Sequence, residues 1–175
     1  MRRVVVLVLA CWLPLLAAWS AQAAQAGENH LIPLYDPFED VGSLLTPTIH
    51  VEMEADDASA RGDLVFSLFH QGRQVRRELE QAVLFTLTAD QALFTPGMRW
   101  SLVVLADGER LQFDDVMLPD PLPRHAVPLR LDVWIPEADV LRLAKARELR
   151  CRVGRFDFHL PDEGIRWLRE LGGKL

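Results

Sequence analysis

From Thr48 onward the chain is dominated by alternation of apolar and polar residues. Between Thr48 and Glu54, Ile49, Val51 and Met53 alternate with His50, Glu52 and Glu54, a period of two that predicts a half-buried strand. After a polar loop from Ala55 to Gly62, the segment Asp63 to His70 carries Val65, Phe66, Leu68 and Phe69, which suits a strand covered on both faces. Gln71-Gly72 can turn it back. Ala82 to Thr88 alternates again, with Val83, Phe85 and Leu87 set against Leu84, Thr86 and Thr88, and its β-branched and aromatic residues favour a strand. Val127, Leu129, Leu131, Val133 and Ile135 form a further alternating row, which leaves Arg130, Asp132 and Trp134 facing outward. Between Arg73 and Gln81, Val75 and Leu79 fit a strand or a helical stripe; the strand is preferred.

Two hairpins can be read in register. Asp107-Gly108 suits a two-residue turn that needs positive φ at both positions. Counting outward pairs Val104 with Leu111 and Leu102 with Phe113, with Trp100 on the same face, while Leu105 meets Arg110 and Val103 meets Gln112. With Gly154-Arg155 as the second turn, Val153 faces Phe156, Cys151 faces Phe158 and Leu149 faces Leu160, and Arg152 meets Asp157 on the other side. Apolar and ionic patterns thus support the same register.

Pro136 can open a short helix with Val140, Leu141 and Ala144 inward, and Pro161 a second that carries Ile165, Leu168 and Leu171 to Gly172-Gly173. Pro119, Pro121, Pro123 and Pro128 mark an irregular crossing. The stretch up to Pro47 has no steady period, and its Leu31, Ile32, Leu34, Tyr35 and Phe38 suggest an extended arm packed across the body, with regular structure starting after Pro47. The expected fold is mainly β: an antiparallel β-sandwich, or a partly open barrel, with two short helices in the C-terminal half. The sandwich is preferred, with the proline crossing carrying the chain between its sheets.

The amino-terminal segment has a different character. Arg2 and Arg3 precede an apolar run of 16 residues from Val4 to Trp19, shorter than the roughly 20 that span a bilayer comfortably, and small residues follow at Ala21, Ala23, Ala24 and Ala26. This is the form of a secretory signal peptide, with cleavage expected after Ala23 and a second candidate after Ala26. Residues 1–23 are then signal, 24–47 the arm and 48–175 one β-rich domain, periplasmic or secreted and without stable membrane insertion after cleavage. An uncleaved anchor and a lipoprotein signal ending at Cys11 fit the pattern less well.

Without the signal the chain holds 17 basic and 25 acidic residues, a net charge of −8 that opposes nonspecific nucleic-acid binding. Only Cys151 survives processing, so no internal disulfide can form.

Motifs for catalysis are missing: no G-x-S-x-G elbow occurs, and Cys151 sits among core residues, where a thiol is inert. His50, Glu52 and Glu54, with His70, could converge on a metal, but the pattern also describes any solvated strand face. The acidic run at Asp56, Asp57 and Asp63 lacks EF-hand spacing, and Asp114-Asp115 points to opposite strand faces. No catalytic residue, metal or cofactor is therefore assigned. What remains is a surface for a partner: Trp134 beside Arg130, and Arg150, Arg152 and His159 on the last hairpin. The expected function is noncatalytic binding of another protein or an envelope component. The alternative is an envelope-acting hydrolase whose site is assembled from separate strands.

Overall fold

The computed structural model describes residues 30–75, 81–89, 100–117 and 129–175. The segment expected to be a signal peptide, most of the ambiguous stretch after Arg73 and the expected proline crossing lie outside them. Among the described residues, eleven strands form one antiparallel sheet: β1 (Ile32–Asp36), β2 (Val41–Leu45), β3 (Ile49–Ala55), β4 (Ala58–Gln71), β5 (Ala82–Ala89), β6 (Leu102–Ala106), β7 (Glu109–Phe113), β8 (Val116–Met117), β9 (Leu129–Ile135), β10 (Leu149–Val153) and β11 (Phe156–His159). Two helices, α1 (Glu137–Leu143) and α2 (Asp162–Gly172), follow β9 and β11.

The main path runs β7-β6-β10-β11-β3-β4-β5-β9-β8. Its two margins, β7 and β8, do not pair with each other but are consecutive in sequence with only Asp114 and Asp115 between them, so the sheet curls until this short link joins them. The result is a nearly closed barrel and not two facing sheets. Alternation alone does not separate these outcomes, because a sandwich and a barrel both bury every second residue.

β4 is where the sheet branches. β3 pairs with its first half, Ala58 to Leu64, and β2 with its last part, Ser67 to Gln71, both along one edge. Between them Thr46 bridges the gap, its N–H donating to the Phe66 carbonyl at 2.9 Å and its Oγ1 accepting the Phe66 N–H at 3.1 Å. The β1–β2 hairpin thus leaves the barrel path at Thr46 and Pro47, so the amino-terminal arm contains regular structure before Pro47. Its prolines hid this: Pro33 lies on the free outer strand, where a missing N–H costs nothing.

The polar loop expected from Ala55 to Gly62 is instead a two-residue turn at Asp56-Asp57 and the start of β4. Gly62 is small because Met53 and Leu87 already fill that part of the interior: a Cβ there would stand 3.0 Å from Leu87 Cδ1 and 3.2 Å from Met53 Cε, and Ala60 lies opposite Met53. A strand made of such residues does not look apolar.

Both hairpin registers match the sequence count, including Val104 opposite Leu111 and Cys151 opposite Phe158. The inward row of each strand joins one core: Ile49, Leu64, Phe85, Leu102, Leu131, Val133 and Leu149 are essentially inaccessible. Val140 and Leu143 of α1 and Ile165, Trp167, Leu168 and Leu171 of α2 belong to the same cluster. Both helices begin after a proline in extended conformation and have acidic first turns, Glu137 and Asp139 in one, Asp162 and Glu163 in the other. Arg169 of α2 donates to the carbonyls of Ala144 and Ala146, which satisfies the free carboxyl end of α1.

Candidate functional site

The barrel interior offers little chemistry among the described residues: of the buried polar side chains Ser43, Thr46, Ser67 and His70, only His70 lies on the same face of β4 as Leu64, Phe66 and Leu68. His70 is the penultimate residue of β4, with Nδ1 3.5 Å from the Gln71 carbonyl, and its ring occupies the space that Gly42 leaves by having no side chain. His50, Glu52 and Glu54 project from the opposite, exposed face, so His70 does not join them. Among the described residues no group of three His, Cys, Asp or Glu side chains comes together as a metal site. His50 pairs instead with Asp63, Nδ1 to Oδ1 2.7 Å, in open solvent. Cys151 is fully enclosed, and burial pushes its thiol pKa up to about 12.

The five surface residues do not form one patch. Trp134 and Arg130 stand on β9, whereas Arg150, Arg152 and His159 stand on β10 and β11, and β3, β4 and β5 lie between β11 and β9 along the sheet.

On β9, the outward row continues across the sheet as Leu45, Ser67, Leu84 and Trp134. Trp134 is half-buried and meets the edge of Phe69, ring centroids 5.6 Å apart. Its Nε1 is buried without a hydrogen-bond partner among the described residues. Arg130 turns back to Asp132, Nε to Oδ2 2.8 Å, and Thr86 Oγ1 donates to the same carboxylate at 2.6 Å. This guanidinium is committed within its own sheet.

On the last hairpin, Asp157 gathers both arginines. Arg152 donates to it through Nε at 2.5 Å and Nη2 at 2.7 Å, and Arg150 through Nη2 at 3.4 Å. The hydrogen bond from Arg152 is the main cause that holds the Asp157 carboxyl below its ordinary range. His159 Nδ1 lies 3.5 Å from Glu148 Oε1. Each arginine of the hairpin thus has a neighbouring anion, and the field that this face projects is weaker than its arginine content suggests. Arg155 reaches across to Asp57, 3.1 Å away, tying the β10–β11 turn to the β3–β4 turn.

A feature absent from the sequence-derived site is the tip of the β1–β2 hairpin. Phe38 there is 94% exposed, although the apolar residues of the arm suggest a packed segment. The signal was present in Asp36-Pro37, a turn-initiating pair, followed by Asp40, a residue type that tolerates positive φ. Asp40 adopts φ 52°. No family model, no curated protein and no solved structure matches the chain.

Proposed function

We propose that this chain is an exported, noncatalytic module that binds another protein or a component of the cell envelope in an accessory or assembly role. One observation carries the reading: the inward side of the described barrel is filled with apolar side chains, while charged groups are matched to one another outside it. Such a body acts through its exterior. Leu45 and Trp134, partly exposed on this outward face beside Phe69, support recognition by shape and apolar contact. Export is supported by Arg2, Arg3, the apolar run from Val4 to Trp19 and the alanines at Ala21 and Ala23.

Two measurements test this. Expression of the full chain in a secreting host, followed by amino-terminal sequencing of the exported product, is expected to find Ala24 or Gly27 first; a chain still starting at Met1 overturns cleavage. The processed protein, used as bait in envelope extract, is expected to retain one stoichiometric partner. Turnover of purified envelope material by the protein alone would replace this reading with the hydrolase.

A further inference from the structure

We propose that the tip of the β1–β2 hairpin is a docking element, with Phe38 as the anchor, for a partner protein that presents an apolar pocket rimmed by basic side chains. The inference rests on the binding role proposed above and adds the surface and the chemistry of its partner. Isolated exposed apolar residues are ordinary on proteins. Phe38 differs in two respects: it is 94% exposed, and the turn below it is tightly built.

Three hydrogen bonds hold that turn. Asp36 Oδ1 accepts the Phe38 N–H at 2.8 Å, the Tyr35 hydroxyl donates to Asp40 Oδ1 at 2.8 Å, and the Asp40 carbonyl accepts the Gly72 N–H at 2.7 Å. Pro37 restricts φ, and the Arg73 guanidinium lies 5.1 Å from the centre of the Tyr35 ring. The left-handed Asp40, unfavourable for a residue with a Cβ, is retained within this frame. A ring displayed on a fixed turn loses little freedom when it is buried by a partner, the condition under which aromatic anchors bind well.

Charge selects the class of partner. Asp36, Glu39 and Asp40 flank Phe38 along the turn, and the one cation described there, Arg73, is stacked on Tyr35. Three acidic residues in the turn that carries one phenyl oppose insertion into an anionic lipid surface and complement a basic rim on a protein.

The test uses the processed full chain as wild type, Phe38→Ala, Phe38→Trp and Glu39→Lys. Each is offered envelope extract, and the protein retained by the wild type is then purified and titrated against all four. Phe38→Ala is expected to weaken binding about 30-fold, the factor that corresponds to about 2 kcal/mol at an interface anchor. Phe38→Trp is expected to bind within about three-fold of wild type, Glu39→Lys more weakly than wild type, and all melting temperatures to agree. A partner held equally by wild type and Phe38→Ala overturns this inference and leaves the binding role standing. If the wild type retains no partner, both fall. Loss of wild-type affinity for phosphatidylglycerol vesicles in Phe38→Ala, conversion of a sedimenting dimer to monomer, or a fall in melting temperature would each overturn it, by assigning the ring to lipid, to a second copy or to the fold.

Discussion

Arg152 and Asp157 face each other across the β10–β11 hairpin as a two-point pair, Nε to Oδ1 2.5 Å and Nη2 to Oδ2 2.7 Å. Because the guanidinium favours the ionised carboxylate, the folded pKa of Asp157 lies below its ordinary 3.8. The pair therefore stabilises the fold fully above pH 3.8, and its contribution is lost as pH falls through the lower folded value. Asp157→Asn should cost about 0.5–1 kcal/mol at pH 7, in keeping with a solvated pair. Urea titrations of both proteins should show this difference shrinking towards zero in strong acid; a constant gap would assign it to packing.

Gly42→Ala should destabilise the protein by about 1–3 kcal/mol, the usual cost of overpacking. The added methyl would overlap the His70 ring and stand 2.7 Å from the Gly72 carbonyl oxygen. Adding His70→Ala should restore part of the loss, whereas simple additivity of the two changes in denaturant unfolding would show that the ring is not the obstacle.

Asp107 serves the turn and its neighbour together. Its carboxylate accepts the N–H groups of Arg147 and Glu148, at 3.0 Å from each nitrogen, while its backbone sits at φ 49°. Asp107→Ala should cost about 1–2 kcal/mol through lost hydrogen bonds and backbone strain. Asp107→Asn, which keeps an acceptor and tolerates that φ, should cost least, and Asp107→Gly should fall between them. A different order in thermal unfolding would show that the hydrogen bonds and the backbone conformation do not both act through this side chain.

The Cys151 thiol, pushed up to about 12 by burial, should resist iodoacetamide at pH 8 while the protein is folded. Mass spectrometry should find complete modification in denaturant. Rapid labelling of the native protein would mean that β10 opens readily.

What the sequence disclosed depended on whether each segment obeyed a local rule. Leu102 opposite Phe113 and Cys151 opposite Phe158 could be counted outward from their turns, because a hairpin register is set by its loop and by which face is apolar. The start of β4 could not, since the space at Gly62 is limited by Met53 and Leu87 from other strands. The same applies to the surface. Trp134 was legible as outward-facing, but its separation from Arg152 depends on sheet order, which β9 and β10 do not encode alone. Phe38 was obscured because exposure is decided by the turn that carries it, here through Tyr35, Asp36 and Asp40.

The dipeptide Asp114-Asp115 is all the chain that separates the first and last strands of the main path. Ring closure is thereby a nearest-neighbour event along the polypeptide, needing no search between distant segments. Severing that tether, by a protease or by a permuted gene opening at Asp114, would let two ladders of unsatisfied amides drift apart and invite foreign strands. Two residues at this seam thus keep the margins of the sheet together.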